Sequence, residues 1–428
     1  MENVIIIPVN PLMIFPFVFL LLSIAFIPLI NKHWWDKNYP MPSFGFGIIA
    51  VIYYFFFLKN IPRMVHTGFE YISFITIIGS LFVVAGGIHI NIRGRATPHA
   101  NVIMLLIGAI VSNFLGTTGA SMIFIRPYLK VNKYRLKAYH IVFFIFIVSN
   151  IGGALTPIGD PPLFLGYLKG VPFFWVIGKV WHIWALTIGL VLTVFYFIDH
   201  YFYKKMKEKL REEVEAKGEE PHVSGLHNIL FLIAILGAVF INEPKLLREI
   251  IMIAAAIGSY LTTKKEIHER NEFNFIPIKE VAILFIGIFA TMVPCLDWLQ
   301  LNAEKIGIRT PGEFFWGTGI LSGILDNAPT YLNFLSTSFG LQNLQLDNHN
   351  HMKIFLEHHW KHIQAISVAA VFFGATTYIG NAPNFMVKSI SEQVGVNCPS
   401  FFGYIIKYSF PILVPIFAFI WLLFFRVN

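Results

Sequence analysis

Thr156-Pro-Ile-Gly-Asp160-Pro-Pro162 reads as a helix forced open, and its pattern returns 221 residues later as Thr377-Tyr-Ile-Gly-Asn381-Ala-Pro383. The shared form is T-x-I-G-[D/N]-x-P. Each copy follows a small-residue lead, Gly152-Gly-Ala-Leu in the first and Gly374-Ala-Thr in the second. Each is also preceded by a polar pair, Ser112-Asn113 and Asp326-Asn327, set in its own apolar stretch. Helix-breaking residues and an ionised Asp are costly inside a membrane. Two halves with interrupted hydrophobic segments at matching places are the pattern of a secondary transporter's binding site.

The surroundings of these motifs are a membrane protein's. The 428 residues are 56% hydrophobic and 13% charged, with a mean hydropathy of +0.65. A soluble domain carries about 25% charged residues, so little room is left for one. The net charge of +8 fits basic residues gathered in cytoplasmic loops. No soluble basic module is present, so a nucleic-acid partner is not expected; the partner is the lipid bilayer. Cys295 and Cys398 stand far apart and imply no disulfide framework. The first apolar run, Leu12 to Ile30, has no basic residue before it and no A-x-A-like site after it, and reads as a retained helix.

The expected fold is an all-α polytopic membrane protein. A span needs roughly 20 apolar residues, and about ten segments qualify: 12–30, 44–58, 72–92, 138–168, 174–199, 227–242, 246–263, 280–299, 361–395 and 404–425. Two further stretches, 99–125 and 311–340, read as re-entrant hairpins. In the first, Arg93 and Arg95 stand on one flank and Arg126, Lys130, Lys133, Arg135 and Lys137 on the other. Both flanks belong in the cytoplasm, so the chain must enter and return. Its apolar arm is roughly 20 Å long as a helix, too short for a core of about 30 Å. The tips are Ser112 to Gly119 and Ser322 to Thr330.

Fixing those flanks inside puts the connection 203–222, with Lys204, Lys205, Lys207, Lys209, Arg211 and Lys217, inside as well. Both termini then come out on the external side. Residues 1–202 form a first repeat, 203–226 a cytoplasmic linker and 227–428 a second repeat of opposite sense. Each repeat has a hairpin followed by a helix broken at the midplane. The external segment from His349 to His362 holds His351, His358 and His359. The His358/His362 spacing fits one helix face and a zinc ion, but without a Cys the stretch reads as a polar interfacial loop, and no bound metal is expected. His89, near the inner end of the third span, is a proton relay or a packed neutral histidine.

At the four interruptions the polar atoms are almost all oxygens: Ser112, Asn113, Thr117, Thr118, Thr156, Asp160, Asp326, Asn327, Thr330, Thr377, Asn381 and Asn384. No Arg or Lys stands at a tip. Hard cations take carboxylate, hydroxyl, amide and freed carbonyl oxygens, and unwound helix turns supply the last. Burial disfavours a charged carboxylate, so Asp160 and Asp326 can hold a proton in one state and a cation in another. Gly116, Gly119, Gly159 and Gly380 serve turns and close packing, while Pro161, Pro162 and Pro383 interrupt the helices. Asp199 and Asp297, near span ends, read as interfacial.

Ser112-Asn-Phe-Leu-Gly-Thr-Thr-Gly-Ala-Ser121, Thr156 to Gly166, Asp326-Asn-Ala-Pro-Thr330 and Gly380-Asn-Ala-Pro-Asn384 resemble the NhaD-type sodium/proton antiporters. Within that group the chain is similar to a bacterial, citrate-transporter-like branch of the ion transporter superfamily. Arsenite pumps and sodium/dicarboxylate symporters belong to the same superfamily. The resemblance runs from about Ser80 to Tyr404. It implies a homodimer in which a mobile domain holding both hairpins shifts against a scaffold. It assigns Asp160 and Asp326-Asn327 to the family's acidic positions. Pro161-Pro162-Leu-Phe-Leu departs from the Thr-rich run of those antiporters, and Asp326 departs from the Ser of the dicarboxylate symporters.

The resulting expectation is a transporter, not an enzyme, in the bacterial inner membrane. It exchanges sodium (or lithium) for protons, with the cation as transported ligand and no cofactor. A sodium-coupled di- or tricarboxylate symporter is the nearest rival, and arsenite export a weaker one. An intramembrane aspartyl protease also needs two membrane Asp, but Ile158-Gly159-Asp160 lacks its G-x-G-D form.

Overall fold

The computed structural model describes residues 6–91, 96–206, 222–241 and 243–426. Arg93, Arg95, Lys207, Lys209, Arg211 and Lys217, on which part of the expected orientation rests, lie outside them. The described chain is helical apart from one antiparallel pair of three-residue strands, His89–Asn91 against His222–Ser224. Among the described residues, eight helical stretches are long and apolar enough to cross a membrane. They are Pro11–Ile30, Pro40–Phe57, Ile61–Gly86, Pro98–Val131, Ala138–Leu155, Phe173–Lys204, Ile276–Leu301 and Phe401–Phe424. The all-α polytopic architecture is therefore present, with corrections to individual spans.

The third span runs from Ile61 to Gly86 rather than 72–92. Pro62 opens it at the first turn, where a missing N–H costs nothing. The shift brings Arg63, His66 and Glu70 into the helix and leaves His89 in the strand beyond it, where its Nδ1 is 2.7 Å from Asn271 Oδ1. The expected spans at 227–242 and 246–263 are shorter, Asn228–Ala238 and Leu247–Thr262. At 1.5 Å per residue they reach about 16 and 24 Å. They pair with each other and lie on Ile61–Gly86.

Pro98–Val131 is two helical arms joined at Gly116, where the Thr117 N–H leaves the helix to bond the Gly159 carbonyl at 2.8 Å. Gly116 has φ +72° and ψ 157°, a conformation that only glycine adopts without strain. The chain reverses there. Asn101, near the start, and Asn132, just past the end, exchange side-chain hydrogen bonds of 2.9 and 2.8 Å. On a straight helix those residues would stand about 46 Å apart. The stretch is thus a hairpin with its tip at Gly116. Pro311–Ile324 and Asn327–Gly340 form the second hairpin, reversing at Leu325 and Asp326. Its entry is capped reciprocally: Thr310 Oγ1 accepts the Glu313 N–H, and Glu313 accepts the Thr310 N–H at 2.8 Å.

Helix Phe173–Lys204 shows how the hairpins are opposed. Beside its C-terminal end, Asp199 accepts from Asn101 at the base of the first hairpin (3.1 Å) and also pairs with Arg135. Beside its N-terminal end, the Lys179 carbonyl accepts from Gln364, and His182 meets Phe424 edge-on, next to the base of the second hairpin. Lys179 and Asp199 are about 30 Å apart along that helix, close to the thickness of a hydrocarbon core. The two hairpins therefore enter from opposite ends and meet tip to tip.

The two T-x-I-G segments are broken helices, as expected. Ala138–Ile147 gives way to a tight turn at Ile151–Leu155, and the helix resumes as Pro161–Leu168. Trp360–Phe373, Gly374–Thr376 and Ala382–Gln393 repeat the arrangement. Pro161 and Pro383 sit in the first turn of the resuming helices, so they start helices as well as ending them.

Candidate ion-binding site

The four interruptions converge on Asp160. This residue is 1% exposed and begins the helix Pro161–Leu168. Its carboxylate accepts from Thr117 Oγ1 at the first hairpin tip (2.6 Å to Oδ1). Asn327 Nδ2 of the second hairpin donates to Oδ2 at 2.6 Å. Asn381 Nδ2 of the second broken helix donates to Oδ1 at 2.9 Å. Segments up to 221 residues apart thus meet on one side chain. Among the described ion pairs none includes Asp160. All three partners donate, which suits an ionised carboxylate, an acceptor at every lone pair.

The two broken segments are built alike. Asp160 and Asn381 have nearly the same backbone, φ −147° and −154°. Thr156 Oγ1 accepts the Gly159 N–H at 3.0 Å, and Thr377 Oγ1 accepts the Gly380 N–H at 3.1 Å. Ser112 and Ser322 each donate to a carbonyl of the neighbouring broken helix, Val148 at 2.8 Å and Ala370 at 2.6 Å. Gly159 and Gly380 allow the loops to close: a β-carbon there would stand 2.1 Å from the Gly153 oxygen and 2.6 Å from the Gly374 oxygen. Gly119 packs the first hairpin on helix Ile61–Gly86, where its β-carbon would lie 3.2 Å from Ala85.

The remaining expected ligands divide by what already occupies them. Asn113 donates to the Ala109 and Gly152 carbonyls and accepts from the Leu155 N–H, so its amide joins the hairpin to the broken helix. Thr156 donates to the Asn113 carbonyl, Thr330 to the Asp326 carbonyl, and Asn384 to the Gly374 and Thr377 carbonyls. These groups hold the interruptions open by satisfying freed backbone. Asp326 is half-buried, and its Oδ1 caps the returning helix by accepting the Ala328 N–H at 2.9 Å. Thr118 lines a cavity of about 40 Å³ with Gly116, Thr117, Asp160 and Pro161, and Ile77, Leu81 and Phe82 also line it. A site of about 10–15 Å³ already holds one water. The cavity has room for a small ion, and among the described residues no Lys or Arg lines it.

Asp199 and Asp297, expected near span ends, are buried within the protein, 0% and 1% exposed. Asp199 is met by Arg135, Tyr139 (2.6 Å) and Asn101. Asp297 accepts from Tyr54 (2.7 Å) and Arg63 (2.7 Å), and Arg63 also reaches Asp347 (2.7 Å). Lys169, directly after the first broken helix, bridges Asp347 and Glu70 at 2.5 and 2.7 Å. This buried ionic network ties the broken helix to Ile61–Gly86 and Ile276–Leu301. Sequence reasoning misses it because it starts the third span after Arg63; a charge within an apolar helix was the available signal. His66, Glu70 and Asp347 have ligand atoms within 4.8 Å of one another, but Lys169 and Arg63 already balance both carboxylates. In the His-rich segment, His351 Nδ1 accepts the Gln345 N–H and His362 Nε2 bonds to the Arg309 carbonyl.

Comparison with known proteins gives one family. The family described as "Putative citrate transport" matches residues 8–425. A search of curated proteins finds no significant match. The match spans nearly the whole chain, hairpins and broken helices together, and this multi-pass membrane protein belongs to that transporter family.

Proposed function

We propose that the protein exchanges sodium (or lithium) for protons across the bacterial inner membrane, with Asp160 as the carboxylate that binds one or the other. The observation that carries this reading is a buried carboxylate without a cationic partner, set beside a small cavity lined by Thr117 and Thr118. An uncompensated charge at that depth calls for a proton or a cation. Asn327 and Asn381 suit both states. Each offers Nδ2 to the ionised carboxylate, and a half-turn of the amide offers Oδ1 to a protonated Asp160 or to a cation. Asp326, held at a helix start, adds a second negative charge near the site. The opposed hairpins supply the two sides from which access alternates. Both termini outside and a homodimer belong to the same reading.

A sodium-coupled carboxylate symporter is the second reading, favoured by the family's description. The hairpin tips would then bind sodium together with an organic anion. Against it, no Lys or Arg among the described residues lines the cavity to receive a carboxylate. An aspartyl protease is disfavoured because Asp160 is wrapped by amides while Asp326 is engaged as a helix cap.

The test uses purified protein in proteoliposomes containing a pH-sensitive dye. Sodium added outside should move protons in the opposite direction, without citrate, and Asp160→Asn should abolish it. Sodium-dependent citrate uptake with no sodium-driven proton movement would transfer the site to the symport reading.

A further inference from the structure

Asn150 precedes the Gly152-Gly153 lead and is fully buried. Its Nδ2 is fully used, donating to the Ile145 carbonyl at 2.8 Å and to Asn384 Oδ1 at 2.7 Å. Its Oδ1 has no hydrogen-bond partner. A buried amide oxygen without a donor is rare and costs about 1–3 kcal/mol unless water or an ion meets it. The orphan oxygen faces the second broken helix. A β-carbon at Gly374 would lie 2.9 Å from Asn150 Oδ1, 3.1 Å from the Gly380 carbonyl oxygen and 3.3 Å from Asn327 Nδ2. Asn327 is the side chain that holds Asp160 Oδ2 at 2.6 Å.

We infer that Asn150 Oδ1 is a further oxygen ligand for the transported cation, acting with the Gly380 carbonyl on the Asn327 side of Asp160. This rests on the cation-exchange reading above. The two halves of the Asn150 amide then have separate tasks. Nδ2 fixes the first broken segment to the second through Asn384, and that fixed donor pair dictates where Oδ1 points. A cation arriving between the segments finds this oxygen already oriented, with no further side-chain entropy to lose. As Asn327 turns away from Asp160, Asn150 Oδ1 and the Gly380 oxygen remain in place to receive the ion.

The experiment measures sodium KM and turnover in proteoliposomes for wild type, Asn150→Ala and Asn150→Asp. It also records the sodium-induced rise in Tm of each purified protein, which reads binding by the folded state. Asn150→Ala removes the oxygen and should raise the sodium KM about tenfold or more and shrink the Tm rise. Asn150→Asp keeps a ligating oxygen and adds negative charge that favours a cation, but loses both Nδ2 donors. It should leave the sodium KM at or below the wild-type value, even if turnover falls. Equal KM increases in both variants would mean that only the Nδ2 anchoring matters, and would overturn the inference. An unchanged KM in Asn150→Ala would overturn it too. If either variant is too unstable for transport, the sodium-induced Tm rise decides on the same terms. Wild type that shows neither sodium-driven proton movement nor sodium stabilisation would sink the exchange reading itself, and this inference with it.

Discussion

Asp160 and Asn381 occupy the same position of a pattern repeated 221 residues apart, and they are hydrogen-bonded to each other at 2.9 Å. Two equivalent positions therefore meet, and only one of them is an acid. Thr117 and Asn327, from the two hairpins, complete the ring around that acid. The duplicated T-x-I-G motif thus brings a single carboxylate, Asp160, to the centre of this ring.

Exchanging the two side chains tests this pairing. Asp160→Asn alone should abolish sodium-driven proton movement. The double variant Asp160→Asn/Asn381→Asp moves the carboxylate across the same hydrogen bond and should restore part of the activity. Asn381→Asp alone puts two carboxyls in contact, where both cannot stay ionised, and should alter the pH dependence of transport. Rates in proteoliposomes across pH check all three.

Gly116 sets the first hairpin tip through its φ of +72°. Gly116→Ala should cost about 1–3 kcal/mol of backbone strain and move Thr117 relative to Asp160. A lowered Tm with a larger fractional loss of transport is the expected outcome, measured by thermal unfolding and flux on the same preparation.

The hairpin itself has a direct chemical test. Asn101 and Asn132 lie side by side, so Asn101→Cys/Asn132→Cys should be joined by a short bifunctional thiol reagent within one chain. A straight helix, with those positions about 46 Å apart, would give no such product. Peptide mass analysis after proteolysis reads the cross-link.

Arg63 and Asp297 are 2% and 1% exposed and share a bond of 2.7 Å. Removing Arg63 leaves Asp297 buried without a cation and should cost about 3–5 kcal/mol, while removing Asp297 leaves Arg63 with Asp347 alone. Arg63→Met and Asp297→Leu should each lower the Tm more than the double variant does. Thermal unfolding of the three proteins in one detergent measures the difference.

Much of this arrangement is legible in the sequence, for a physical reason. Gly, Pro and Asp interrupt apolar runs so sharply that the T-x-I-G breaks, the hairpin tips and Asp160 stand out from residue order alone. Which oxygens are already committed is not legible. Asn113 and Thr156 look like ligands in sequence, yet they satisfy backbone groups exposed by the breaks. Asn150 does not stand out in sequence, because its orphan oxygen is defined by the packing of the first broken segment beside Gly374 of the second. The ionic network is hidden by a span boundary that hydropathy places about ten residues late. Arg63, Lys169, Asp297 and Asp347 come from distant segments that only the packed fold unites.

Proton release on sodium binding reads the exchange at Asp160 itself. Purified protein in weakly buffered detergent solution would be mixed with sodium chloride, with choline chloride as control, and the pH change followed. Wild type should release protons with sodium but not choline, and Asp160→Asn, still folded by its thermal unfolding profile, should release none. Equal release from wild type and Asp160→Asn, or no release from wild type, would contradict that exchange.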